Sequence, residues 1–190
     1  CVTNIAGIKN VIVASTGYTG AGGYEIYCDN KNVKYIWDTL FDEGKGLDML
    51  PIGLAARDSL RIEMGYCLYG NEIDENISPI QAGLSWITKT ETNFYGSNLI
   101  KKNIENGCKY MIIGIKSEER MIPRNGDIIF NSDKNEIGKI TSGTFSPTLK
   151  KPIGIGFILK DKLNYDEEIL IDNKRKKFKA KISSLPFIRS

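Results

Sequence analysis

The sequence predicts an α+β protein in which a segment of mixed helices and strands precedes a small antiparallel all-β domain. Two observations lead to this prediction: every helical spacing of apolar residues lies before residue 108, and short alternating strands separated by turn residues fill the chain after it. At 190 residues, 41% of them hydrophobic, the chain is long enough for one large or two small cores. We expect a first domain at residues 1–95, a connecting helix at 96–108 and the β domain at 109–190.

The chain opens with a glycine-rich hairpin. Val11–Ser15 and Tyr24–Cys28 alternate as strands do, and the GYTGAGG between them has glycines that allow positive φ and close backbone approach. This loop lacks the lysine of a P-loop and precedes a strand, so a hairpin is favoured over a phosphate site. Glu25 then either faces solvent or, with an oriented partner, accepts a bidentate bond from the N–H edge of a heterocycle.

Two helices follow the hairpin. Asn30 or Asn32 is expected to cap the first, and the GKG after Glu43 ends it. The second helix, PIGLAARDSLRIEM, is expected to begin at Pro51 and to stop at Gly65.

Two arginines on the second helix are candidates for ligand binding or for simple ion pairing. Arg57 is expected at the edge of an apolar stripe, and both Arg57 and Arg61 can pair with neighbouring carboxylates or with solvent. A partly desolvated guanidinium needs a specific partner, and a carboxylate ligand is one such partner. The residues of the predicted stripe are Gly53, Ala56, Leu60 and Met64.

An irregular loop, YCLYGNEIDENISPI, follows the second helix, and a loop of this length is more often functional than idle. Tyr66 at its start is expected to pack beneath the loop or to line a site. Glu72, Asp74 and Glu75 lack the D-x-D-x-D-G pattern of a calcium loop and are expected to be solvated. Leu84–Thr88 is predicted to be a strand.

Ser97 is expected to cap a connecting helix that Gly107 closes, and the chain after Lys109 is predicted to form six short strands. Turn clusters separate the strands, including TSGTFSPT at 141–148, and the pattern indicates a small antiparallel barrel or sandwich. KRKKFK at 174–179 alternates charges about an inward Phe178, so we expect a lysine-protected edge strand rather than a nucleic-acid patch. The predicted strands are Tyr110–Lys116, Asp127–Phe130, Glu136–Thr141, Ile153–Leu159, Glu168–Ile171 and Lys176–Ile182.

Composition excludes several kinds of chemistry. Without histidine, the chain cannot assemble a Ser-His-Asp triad, a Cys-His pair or an imidazole metal site. The four cysteines are too widely spaced for a zinc site or a disulfide scaffold, so we expect reduced thiols and no metal. A net charge of +3 is too weak to indicate nucleic acid or a membrane surface, and no apolar run approaches the length of a membrane span.

Read in order, the segments GYTGAGGYEIY, LAARDSLRIEMGYCLYGNEIDENISPIQAGLSW, ITSGTFSPTLKKPIGIGFI and LPFIRS resemble the glycine cleavage system T-protein, a tetrahydrofolate-dependent aminomethyltransferase family. The resemblance covers essentially all of this chain but only the second half of the family's usual length. It implies the end of a ferredoxin-like α+β domain followed by a C-terminal β-barrel. The start at Cys1 fits a chain that begins inside a longer protein.

The resemblance also implies a function. The family takes the aminomethyl group from the lipoyl arm of the H-protein, releases ammonia and forms 5,10-methylenetetrahydrofolate. By position, Glu25 would hold the pterin edge, Arg57 would lie in the folate site, Tyr66 would line it, and Arg189 would reach it from the C-terminal tail. Tetrahydrofolate and lipoylated H-protein are the expected partners, in a bacterial cytoplasm or a mitochondrial matrix.

The family's catalytic acidic residue has no counterpart here, so no catalytic residue is assigned and the chain alone is expected to be inactive and to bind folate poorly. Two alternatives stay open. One is the folate-binding domain of a related protein, of the dimethylglycine or sarcosine dehydrogenase type or a tRNA-modifying folate protein. The other is a non-enzymatic interaction domain.

Overall fold

A computed structural model describes residues 1–165 and 167–188. The chain divides into two compact units, Cys1–Arg57 and the part that begins at Asp58. The first contains a small sheet with a helix and the second contains a closed antiparallel barrel, so the predicted α+β class with a β-barrel is confirmed. The two compact units divide between Arg57 and Asp58. The predicted domain boundaries at residues 95 and 108 stay predictions.

The first unit is a three-stranded antiparallel sheet, ordered β1-β2-β3, followed by helix α1. The strands β2 and β3 form the predicted hairpin, in which Ala14 pairs with Glu25. Strand β1 was not predicted, because three of its four residues are exposed and therefore show no alternation of buried and exposed positions. The bounds are β1 Val2–Ile5, β2 Ile8–Ala14, β3 Glu25–Tyr27 and α1 Asn30–Glu43.

Helix α1 ends at Gly44, as the GKG predicted, but it starts without a side-chain cap. Its N-cap residue is Asp29, whose side chain makes no capping hydrogen bond, so the prediction of an asparagine cap was wrong. Asn30 is instead the first helical residue.

Helix α2 spans Leu54–Glu63, three residues after the predicted start at Pro51, and Gly65 follows it with φ of +68°. The helix buries Arg61, Ile62 and Glu63. The predicted apolar stripe is therefore not the buried face of this helix. Two charged side chains take part in the buried face because partners distant in sequence satisfy them, and local periodicity does not report such partners.

The prediction of a strand at Leu84–Thr88 was wrong, because Ser85–Ile87 forms one turn of 3₁₀ helix. The Ile87 amide donates to the Leu84 carbonyl and the Thr88 amide donates to the Ser85 carbonyl. These local hydrogen bonds use backbone groups that a strand would offer to a neighbour.

Helix α3 spans Ser97–Asn106, with Gly96 as its N-cap and Gly107 as its C-cap, so the prediction that Ser97 caps it was wrong: Ser97 is the first helical residue. Six strands then close into a barrel in the order β4-β7-β6-β5-β8-β9, and β4 pairs with β9 to complete it. Isoleucines dominate the barrel core, together with Phe178 and Ala180. The strands are β4 Tyr110–Ser117, β5 Ile128–Phe130, β6 Glu136–Ser146, β7 Lys151–Leu159, β8 Glu168–Asp172 and β9 Lys177–Ser183.

Two predictions for the barrel were wrong. Strand β9 is not an edge strand, because it pairs with β8 on one side and with β4 on the other. Its buried Phe178 between exposed lysines follows the predicted alternation, but barrel closure removes the edge.

The other wrong prediction is that TSGTFSPT forms a turn, because β6 continues through Ser146. The strand fits here because Gly143 has no side chain: a Cβ at that position would lie 1.9 Å from the carbonyl oxygen of Pro123.

Within residues 1–165 and 167–188, none of the helices has the length and apolar character that crossing a bilayer requires.

Candidate functional site

The loop that joins β2 to β3 contacts the first predicted site residue. Glu25 is the first residue of β3 and is partly exposed. Its Oε2 accepts a hydrogen bond from the hydroxyl of Thr16, which lies two positions beyond the end of β2. The glutamate is therefore a carboxylate at the mouth of a hairpin, held by a neighbouring hydroxyl.

The same loop contacts the second predicted site residue. The guanidinium carbon of Arg57 lies 4.4 Å from the centre of the Tyr18 ring, which is a cation–π contact. Arg57 is exposed, so the expected partly desolvated position at the edge of an apolar stripe was wrong. An aromatic ring, rather than a stripe of helical side chains, covers one face of this guanidinium.

The first unit therefore brings Glu25 and Arg57 into contact with loop residues only two positions apart, Thr16 and Tyr18. A carboxylate, a guanidinium and an aromatic ring around one loop suit a ligand that has a planar N–H edge and an anionic group. These groups bind and orient; a nucleophile with an adjacent base is not among them.

Tyr66 lies in the second unit, just beyond α2. Its amide donates to the Arg61 carbonyl over 2.9 Å, and its own carbonyl accepts from Nη1 of Arg61 over 3.0 Å. Tyr66 also lines a cleft of about 550 Å³ whose walls include Cys67, Trp86 and Leu185. Tyr66 is thus part of a concave surface, and Arg61 hydrogen-bonds to both its amide and its carbonyl.

A buried polar cluster that local sequence patterns did not predict lies beside Tyr66. Nη1 of Arg61 lies 2.9 Å from Oε2 of Glu72, and the two side chains are 1% and 0% exposed. The hydroxyls of Thr141 and Ser142 both donate to Oε1 of Glu72. The expectation that Glu72 is solvated was therefore wrong.

No local signal could have revealed this cluster. Arg61 and Glu72 are 11 positions apart, and Glu72 and Ser142 are 70 apart. Only the fold brings these groups together, and only complete pairing makes burial of both charges tolerable. Asp58 gives Arg61 a second, more exposed partner at 2.7 Å.

The four cysteines are free thiols, as predicted. Burial, together with the negative charge of Glu72, raises the pKa of the Cys67 thiol to about 11, against the smaller opposing effect of Arg61. Its Sγ donates a weak hydrogen bond to the Ala82 carbonyl at 3.6 Å. The raised pKa favours the thiol over the thiolate of Cys67 near neutral pH.

The fourth predicted site residue, Arg189, lies outside the described residues. Across residues 1–165 and 167–188, no cluster of three or more histidine, cysteine, aspartate or glutamate side chains is arranged to hold a metal ion.

Two family models match the chain, one described as the GCVT N-terminal domain over residues 2–92 and one as the glycine cleavage T-protein C-terminal barrel domain over residues 110–188. Among curated proteins, the chain is 43% identical over 188 residues to an aminomethyltransferase of Flavobacterium psychrophilum, covering 99% of the chain and 52% of that protein. It is also 43% identical over 188 residues to an aminomethyltransferase of Bacteroides fragilis, covering 98% of the chain and 52% of that protein.

A solved structure has the same fold. The crystal structure of glycine cleavage system aminomethyltransferase T from Bartonella henselae matches with a TM-score of 0.84 at 32% identity, covering 93% of this chain and 49% of that one. The chain thus spans about half the length of the relatives that it matches.

Proposed function

Because this chain belongs to the glycine cleavage T-protein family, we propose that it carries part of the tetrahydrofolate site of an aminomethyltransferase. The reaction is transfer of an aminomethyl group from lipoylated H-protein to tetrahydrofolate, with release of ammonia and formation of 5,10-methylenetetrahydrofolate. The observation that carries the proposal is the contact of Glu25 and Arg57 with one glycine-rich loop.

The proposed roles follow from the chemistry of each side chain. The Glu25 carboxylate accepts hydrogen bonds from the N–H groups along the pterin edge, and Arg57 binds an anionic part of the ligand. Tyr66 is proposed as a folate contact because it lines a cleft in the second unit. Arg189 is proposed as a folate contact on the family resemblance alone.

We propose that the chain alone binds folate weakly and does not turn over. The family's catalytic carboxylate has no counterpart among these residues, and only about half the length of the relatives is represented. Turnover is tested by incubating the purified chain with aminomethylated H-protein and tetrahydrofolate and measuring ammonia. Ammonia release above the protein-free background would contradict this part of the proposal.

We also propose, on the family resemblance, a cytoplasmic or mitochondrial location for the full-length protein.

Weak binding is best measured by NMR, because amide shifts follow dissociation constants in the millimolar range and identify the residues affected. We expect (6S)-5-formyltetrahydrofolate to shift the backbone signals of Glu25, Arg57 and the loop between β2 and β3. Replacing either charge should weaken binding by about tenfold or more, since a charge-assisted hydrogen bond contributes roughly 1.5–3 kcal/mol and about 1.4 kcal/mol is a factor of ten.

Matched variants separate the site from a general charge effect. Glu25→Gln and Arg57→Met remove the proposed ligand contacts, whereas Glu43→Gln and Lys9→Met remove exposed charges elsewhere in the same unit. The control variants should bind like the unmodified chain. An unmodified chain with no shifts at Glu25 or Arg57 at millimolar ligand would overturn the proposed site.

A further inference from the structure

We propose that a second cleft in the second unit binds a free α-amino acid with an apolar side chain, a ligand that the proposed function does not include. This cleft has a volume of about 550 Å³, a size typical of small-molecule sites. The loop after α2 forms one wall, and strands of the barrel form the floor. The lining residues that the structure describes include none of those that line the cleft with Tyr66.

The wall of this cleft is held in place by hydrogen bonds. The Ile112 amide on β4 donates to the Gln81 carbonyl at 3.3 Å, which ties the end of the loop to the barrel. Within the loop, Oδ1 of Asp74 accepts hydrogen bonds from the amides of Asn76 and Ile77 at 2.7 and 3.0 Å. Because Gln81, Asp74 and Ile77 all line the cleft, its wall is preformed and carries a carboxylate.

A β-bulge in β6 places two opposite charges on one face of the floor. Glu136 pairs with Phe130 of β5, and the register shifts next to this pair. Lys139 pairs with Ile128, two positions earlier on β5. Residues two positions apart on a strand share a face and lie about 7 Å apart, so the bulge brings Glu136 and Lys139 to one side although they are three positions apart on β6. Both side chains are exposed and line the cleft.

These two charges do not pair with each other. Neither Glu136 nor Lys139 forms an ion pair with the residues that the structure describes. An α-amino acid carries an ammonium and a carboxylate on one carbon, so it can bind both: its carboxylate accepts hydrogen bonds from Lys139, and its ammonium donates to Glu136. Asp74 on the wall adds a second negative charge to the described lining, which disfavours a simple anion and favours a ligand with an ammonium group.

Apolar side chains beside the charges suit the side chain of such a ligand. Phe157 of β7 pairs with Lys139 of β6, so both lie on the same face of the sheet. Leu159, two positions further along β7, and Ile77 of the wall also line the cleft. An aromatic ligand side chain can pack against these residues, and L-phenylalanine is therefore the probe.

The experiment is an NMR titration of the full 190-residue chain with L-phenylalanine at neutral pH. We expect the backbone amide signals of Glu136, Lys139 and Phe157 to shift at millimolar ligand. Two analogues test the recognition of each ligand charge, since hydrocinnamate lacks the ammonium and phenethylamine lacks the carboxylate. Each analogue should bind about threefold to tenfold more weakly than L-phenylalanine, because one charged contact is lost.

Variants of the chain assign each contact to one side chain. Lys139→Met should weaken binding of L-phenylalanine about threefold to tenfold but should not weaken binding of phenethylamine, which has no carboxylate. Glu136→Gln should likewise weaken binding of L-phenylalanine but not of hydrocinnamate, which has no ammonium. Lys102→Met and Glu105→Gln remove exposed charges on α3 and are the matched controls, so both should bind L-phenylalanine like the unmodified chain.

Signals of the cleft that stay unchanged at millimolar L-phenylalanine would overturn the proposal. Equal binding of L-phenylalanine and either analogue would also overturn it, as would unchanged binding in Lys139→Met and Glu136→Gln, because the two charges would then not recognise the ligand. Should a variant lose its folded spectrum, the comparison of the three ligands on the unmodified chain still decides the outcome. The proposed function is tested separately, by the titration with reduced folate, and can fail or hold independently.

Discussion

The guanidinium of Arg61 and the carboxylate of Glu72 form an ion pair over 2.9 Å, although the two side chains are only 1% and 0% exposed. Burial of both charges is tolerated because each has further partners: Asp58 and the Tyr66 carbonyl for Arg61, and two hydroxyls for Glu72. The Leu68 amide also donates to Oε2 of Glu72 at 3.0 Å. This pair therefore organises the loop that follows α2.

Removing the charge of Glu72 should strongly destabilise the second unit. Glu72→Gln keeps the size of the side chain but removes the buried charge that lies 2.9 Å from the Arg61 guanidinium. We expect the free energy of unfolding to fall by about 3 kcal/mol, the lower end of the range for breaking a buried pair. Urea unfolding followed by Trp86 fluorescence in a Trp37→Phe background measures the change.

The control for Glu72 is Glu75, an exposed carboxylate on the same loop. Glu75→Gln should change the free energy of unfolding by no more than about 0.5 kcal/mol. Equal effects of Glu72→Gln and Glu75→Gln on the free energy of unfolding would contradict the prediction that the buried ion pair stabilises the second unit.

An added methyl group at Gly143 should disrupt strand β6. Its Cβ would lie 1.9 Å from the backbone carbonyl oxygen of Pro123, which cannot move without shifting a neighbouring segment. Gly143→Ala should therefore lower the free energy of unfolding by about 3 kcal/mol. Gly53→Ala is the matched substitution, because nothing lies within 4 Å of its added Cβ. Similar melting temperatures for the two variants would contradict the prediction.

Cys67 should react slowly with alkylating reagents in the folded chain. Its pKa of about 11, against the ordinary 9.0, makes the thiolate about a hundredfold scarcer near pH 8. Mass spectrometry after a timed reaction with iodoacetamide should find Cys1, which is exposed, modified far earlier. In urea the two cysteines should react at similar rates. Rapid modification of Cys67 in the folded chain would contradict the raised pKa.

Asp127 should make stability depend on pH in a direction opposite to that of most carboxylates. Burial raises its pKa above the ordinary 3.8, against the opposing hydrogen bond from the Arg124 amide. The folded chain therefore holds this proton more tightly than the unfolded chain, and the resulting stability is complete below pH 3.8 and lost as pH rises through the folded-state pKa.

Asp127→Asn tests this dependence, because asparagine keeps an oxygen acceptor for the Arg124 amide but does not titrate near neutral pH. The stability of this variant relative to the unmodified chain should increase as pH rises from about 3.5 to 7. Urea unfolding at several pH values measures the difference. A pH-independent difference would mean that the pKa of Asp127 is not raised.

Much of the fold could be predicted from local patterns. The hairpin of β2 and β3, the glycine ends of α1 and α3, and the presence of six short strands in the β domain all follow from apolar periodicity and turn residues. Strand β1 escaped because its residues are mostly exposed, and the 3₁₀ turn at Ser85–Ile87 escaped because a short apolar run has no distinctive period. The placement of Glu25 at the hairpin mouth was predicted, whereas the contacts of Thr16 and Tyr18 were not.

The sequence by itself determined the α+β class, the segments that form strands and helices, and the family to which the chain belongs. The tertiary structure alone decided that β9 closes a barrel instead of lying at an edge, that Arg61 and Glu72 are buried together, and that one loop contacts both Glu25 and Arg57. The physical reason is the distance along the chain between the residues that interact. Periodicity and turn chemistry report the surroundings of a residue and its near neighbours, whereas strand closure and charge burial depend on partners that only the folded chain brings close.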